Sequence, residues 1–132
     1  MKIIKLLCIL LILSGCTNQK EAANKMTIDD INNRFDNFKL QYKITGQSEL
    51  IKSKLAIDRR FFFLPMSWES LSVYEFVNEQ DLQNERNEIL KKTKKKFPDT
   101  KMIEYILGNI YIIYPMVEGR EETLTVLNKI FE

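Results

Sequence analysis

The order of hydrophobic periodicities along this chain predicts an α+β fold: a single small domain on a mainly antiparallel sheet, with a C-terminal β-α-β-hairpin-α unit. Three observations predict it. Apolar residues recur at helical spacing in several stretches and at strand spacing between them. Gly108-Asn109 separates two apolar runs, as a two-residue hairpin loop does. The chain has 132 residues, 45% of them hydrophobic, enough for one core and too few for two.

Thr27-Ile28-Asp29-Asp30 opens the first helix, because Thr27 can cap the leading amides and Asp30 complements the helix N-terminus. Ile28, Ile31, Phe35 and Phe38 then share a face, so the helix runs to about Asn37. From Phe38 the period becomes two: Phe38, Leu40, Tyr42 and Ile44 alternate with Lys39, Gln41 and Lys43, a strand ended by Gly46. Residues 48–57, with Leu50, Ile51, Leu55 and Ile57, are read as a short helix. Residues 61–65 read as a strand closed by Pro65, residues 71–77 as a more central one, and Met66-Ser67-Trp68-Glu69 as their connection.

Asn78-Glu79-Gln80-Asp81 is a second cap signal. The helix it opens carries Leu82, Ile89, Leu90, Thr93 and Phe97 along one stripe, acids first and lysines last, and Pro98 stops it. Gly108 can take the positive φ that a type II′ turn needs first, which pairs Leu107 with Ile110, Tyr105 with Ile112 and Ile103 with Tyr114. Both faces of this hairpin are largely apolar, so helices or a partner are expected over each. Residues 120–131 form a last helix with Leu124, Leu127, Ile130 and Phe131 inward.

This domain is expected to span residues 26–132. Ahead of it, Met1-Lys2-Ile3-Ile4-Lys5 supplies a positive start, and the apolar run 6–13 is too short to cross a bilayer, which takes roughly 20 residues. The run ends in Leu13-Ser14-Gly15-Cys16, which resembles the lipobox of bacterial lipoproteins. Residues 1–15 are therefore expected to be a cleaved signal segment, and Cys16 to carry diacylglycerol, whose two chains give stable anchoring. Residues 16–25 are polar and read as a flexible tether with a reach of roughly 15 to 20 Å. The expected location is the extracytoplasmic face of the cell membrane, and the lysine, isoleucine and asparagine content suggests a Gram-positive host.

Composition narrows the chemistry. Lys and Arg total 20 against 18 for Asp and Glu, but Lys2 and Lys5 lie in the signal segment, so the mature protein is close to neutral and gives no reason to expect nucleic acid. Cys8 and Cys16 are the two cysteines, so no disulfide is expected in the domain. Histidine is absent, which removes the commonest general base and metal ligand. No glycine-rich phosphate loop, Ser-x-x-Lys nucleophile or G-x-S-x-G elbow occurs. Asp29 with Asp30, and Glu121 with Glu122, are acid pairs in first helical turns, where carboxylates are favoured anyway. The expectation is a non-enzyme without cofactor or metal.

Two stretches remain as candidate contact sites. Lys91, Lys92, Lys94, Lys95 and Lys96 could meet an anionic surface, the nearby membrane first, although a solvated helix end explains them as well. Phe61, Phe63 and Trp68, in an apolar cluster with Phe62 and Met66, could form a surface for a protein partner or could belong to the core. The preferred reading is a surface lipoprotein that binds another envelope protein, with an exclusion- or immunity-type role open to it. A lipoprotein that binds or senses a small molecule or an envelope polymer is the alternative, and a carboxylate-based hydrolase the third.

Tyr74-Glu75-Phe76, the charged helix, the strand Gly108-Asn109-Ile110-Tyr111-Ile112-Ile113-Tyr114 and the terminal amphipathic helix, together with the lipobox, are similar to small Firmicute (Bacillus-type) lipoproteins with no established activity. The resemblance covers roughly residues 70–132, and it implies a compartment without implying a reaction.

Overall fold

The computed structural model describes residues 25–45 and 51–132. The expected signal segment, Cys16, nearly all of the tether and residues 46–50 lie outside the described residues.

Helix α1 (Ile28–Asn37) starts where the cap signal sits: the Asp30 carboxylate accepts from the Thr27 amide at 2.8 Å and from its hydroxyl at 3.2 Å. Ile28, Ile31 and Phe35 are buried, whereas Phe38, expected on the same face, is half exposed. The strand expected from Phe38 is shorter, because residues 38–40 close the helix instead. Lys39 turns left-handed (φ 55), its amide bonds to the Asp36 carbonyl at 3.0 Å, and the Leu40 amide bonds to the Phe35 carbonyl at 2.9 Å. This is a Schellman closure, with Leu40 folded back onto the cluster that holds Phe35. Among the described residues strand β1 is then Lys43–Thr45.

Residues 51–57 are not helical, contrary to expectation. Side chains take up polar groups of this stretch: the Tyr74 hydroxyl donates to the Ile51 carbonyl (2.8 Å), and the Glu85 carboxylate accepts from the Ser53 hydroxyl (3.0 Å) and the Lys54 amide (3.3 Å). β2 (Asp58–Leu64) starts three residues earlier than its apolar run, and β3 (Glu69–Glu75) is offset toward the turn that joins them. Helix α2 (Glu79–Lys96) is capped by Asn78, whose side chain accepts from the Asp81 amide at 2.8 Å. β4 (Thr100–Leu107) and β5 (Ile110–Val117) pair in the expected register, Leu107 with Ile110 and Ile103 with Tyr114, about a turn in which Gly108 has φ 60. α3 (Glu121–Phe131) ends the chain.

The sheet has the order β1-β2-β3-β5-β4, antiparallel throughout, so β3 and β4 run the same way with β5 between them and α2 as the crossover. Pro115 is tolerated in β5 because the pairing with β3 stops at Ile113, where the missing N–H is no longer needed. Even-numbered residues of β5 and β2, with Leu71 and Val73, face α1 and α3 in one cluster. Tyr74, Tyr111 and Ile113 face α2 in a second, with Ala56 packed against it. Both sheet faces are covered, as the apolar hairpin requires.

Candidate docking surface

The run of phenylalanines in β2 is divided by strand alternation. Phe62 and Leu64 point into the first cluster and are buried. Phe61 packs at the margin of the second, and Phe63 stands partly exposed on the same face with the edge of Trp68 against it, ring centroids 5.8 Å apart. The β2–β3 turn then carries Met66 at 82% and Trp68 at 81% exposure. Two of the three expected contact residues, Phe63 and Trp68, are thus brought together, and Met66 joins them at the tip; Phe61 belongs mainly to the core.

The tip is tied to the sheet and to the start of α3 by hydrogen bonds from below. The Leu64 carbonyl accepts from the Trp68 amide at 2.9 Å and from the Ser67 amide at 3.3 Å, which forces Trp68 into the left-handed region at φ 58. The Arg120 guanidinium donates to the Ser67 carbonyl. At the foot of the turn Glu69 is 4% exposed, and its carboxylate accepts from the Tyr114 hydroxyl and from the Thr123 hydroxyl (3.1 Å). A buried carboxylate needs such donors. The sequence placed Glu69 in a connection and Tyr114 in a strand without a site role, and it singled out neither Arg120 nor Thr123. The signal for Glu69 was present, since it occupies the inward phase of Leu71 and Val73, where a charge must find partners.

The five lysines are exposed along the last turns of α2. Lys92 pairs with Glu88 at 3.3 Å, and the Lys96 ammonium lies 5.7 Å from the Phe97 ring centre. Their position follows from connectivity: α2 leads into Thr100, which pairs with Val117, at the end of the sheet that also carries the β2–β3 turn. Met26 lies at the other end. Asn109, 3% exposed, accepts from the Met26 amide (2.8 Å) and donates to the Met26 and Phe76 carbonyls (2.9 Å each), while Glu75 accepts from the Ile28 amide at 3.0 Å. Strands of seven or eight residues rising about 3.3 Å each put roughly 25 Å between the two ends.

The acid pair in the first turn of α1 serves structure: Asp29 accepts from Arg60 at 2.8 Å, and Asp30 caps α1. Under α2, Arg86 meets Glu104 at 2.6 Å beside Tyr111, whose pKa burial pushes well above the ordinary tyrosine value. Among the described residues no group of three Cys, Asp or Glu side chains is placed to hold a metal ion, and no helix is long and apolar enough to cross a membrane. What the arrangement offers is an aromatic and thioether contact on a fixed pedestal. No protein-family model, curated protein or solved structure matches this chain.

Proposed function

We propose that this chain is a lipoprotein anchored through diacylglycerol on Cys16 to the extracytoplasmic face of the cell membrane, a non-enzyme that docks another envelope protein with the Met66–Trp68 tip. The observation that carries the docking role is Trp68 itself. A tryptophan 81% exposed and left-handed at φ 58 gives up stability on both counts. Burial of the ring by a partner offsets that cost, and tryptophan is among the residues enriched in binding hot spots. The lipobox supports the anchoring. The roughly 25 Å between Met26 and the tip supports a partner reached away from the anchored end, and it weighs against the membrane as the surface met by Lys91, Lys92, Lys94, Lys95 and Lys96.

A photo-crosslinking amino acid at position 68 of the full chain, in intact cells, tests the docking role. The expected result is one discrete protein adduct, absent when the crosslinker replaces exposed Asn87 on α2. Adducts with lipid or glycan alone would count against a protein partner. Mass spectrometry of the native N-terminus tests the anchor, which requires a diacylglyceryl group on Cys16 as the first residue.

A further inference from the structure

The two edges of the sheet are unlike. Among the described residues β1 is three residues long and pairs with Phe61–Phe63, and beyond them β2 carries Asp58, Arg59 and Arg60, a charged pattern that discourages pairing with another chain. β4, the other edge, is eight residues long, continuous, free of proline, and without a strand on its outer side among the described residues. Ile106 is 39% exposed there, and Met102, Ile103 and Leu107 are partly exposed.

The backbone direction of each β4 residue follows from the ladders. The Phe76 amide donates to the Asn109 carbonyl at 3.0 Å, so odd-numbered residues at the start of β5 bond toward β3 and even-numbered ones toward β4. The registers then turn Lys101, Ile103, Tyr105 and Leu107 inward to β5, and leave the N–H and C=O groups of Thr100, Met102, Glu104 and Ile106 pointing outward. These four positions are symmetric about Ile103.

We propose that β4 pairs antiparallel with β4 of a second copy of this chain across a two-fold axis at Ile103, joining the two sheets edge to edge. In this register Met102 lies opposite the partner's Glu104 and Thr100 opposite the partner's Ile106, so all outward backbone groups are used. Charge selects it over its neighbour: an axis at Glu104 sets two carboxylates directly opposite each other, which is unfavourable. The chosen axis sets Lys101 opposite the partner's Tyr105. No like charges then face each other directly across the axis. The interface is isologous and closes at two copies, because a two-fold contact uses the same edge on both chains.

The test is cysteine scanning in the full chain carrying Cys8→Ser and Cys16→Ser, in detergent. Ile103→Cys is expected to form an intermolecular disulfide under mild oxidation, since side chains at the axis meet at directly paired distance. Lys101→Cys and Leu107→Cys, on the same face, are expected not to, because like residues are then at least roughly 13 Å apart along the strand. Equal crosslinking at all three positions, which association through the apolar N-terminal run would give, overturns the proposal, and so does none at Ile103. Met102→Pro removes an outward N–H without touching the β4–β5 ladder, and Ile106→Lys places a charge on the edge. Sedimentation should find the parent dimeric and any of these variants that keeps its circular dichroism spectrum monomeric; a monomeric parent or a folded, dimeric variant overturns the proposal.

Discussion

Trp68 and Asn109 show how much a single side chain can commit. At φ 58, Trp68 bears the penalty that any residue with a Cβ meets in the left-handed region, and its contact with Phe63 returns part of it. Replacing it by alanine keeps the penalty and loses the contact, whereas glycine removes the penalty. Trp68→Gly should therefore be more stable than Trp68→Ala by about 1 kcal/mol, read from urea midpoints. Equal midpoints would mean that the turn relaxes without cost. Asn109 satisfies three backbone groups from a position 3% exposed. Asn109→Ala leaves the Phe76 carbonyl without this donor in the interior and should cost about 2 to 3 kcal/mol in the same measurement.

At the scale of elements, α2 combines a side-chain cap, acids in its first turn and Lys94, Lys95 and Lys96 in its last. Asn78→Ala should cost about 1 kcal/mol, and Lys95→Gln about 0.3 kcal/mol, the low end for an exposed charge near a helix end with two more lysines beside it. Thermal unfolding of the two variants side by side distinguishes these sizes. α2 and the β4–β5 hairpin were legible in the sequence because their signals are local: caps, a helical stripe, and a glycine-led two-residue loop. Residues 38–42 misled because alternation there coincides with a Schellman closure, in which Leu40 returns to Phe35. Residues 51–57 misled because their polar groups are met by Tyr74 and Glu85, 23 and 31 or 32 positions away in the chain, which no periodicity reveals. The tip was legible as composition, and its left-handed tryptophan was not, since φ there depends on both turn amides reaching Leu64.

For the molecule as a whole, tyrosines packed on both faces of the sheet link stability to alkaline pH. Burial raises the pKa of Tyr105 to about 12, with Glu132 adding to the effect, and raises those of Tyr74 and Tyr111 well above the ordinary 10.0. The folded phenols stay neutral where those of the unfolded chain ionise. Their contribution is whole below pH 10 and is lost as pH rises toward 12 and beyond, by up to about 1.4 kcal/mol per pH unit for each tyrosine. Urea midpoints should be steady from pH 8 to 9.5 and fall steeply above 10, together with tyrosinate absorbance. A flat profile to pH 11 would show that these hydroxyls are not linked to folding. Edge pairing through β4 would leave the share of Tyr74 and Tyr111 unchanged, because they lie inside each copy's own second cluster.

The grip of Asn109 on Met26 also decides how the fold meets mechanical load. Traction on the leading segment does not first peel α1 away; it divides between the β4–β5 bend, through Asn109, and the end of β3, through Glu75. These are neighbouring strands in the interior of the sheet, each held by a ladder on both sides, so the load enters the middle of the sheet and is spread over several strands. A globule drawn from that point should resist extension better than one drawn from Glu132, where α3 can be stripped from the sheet residue by residue.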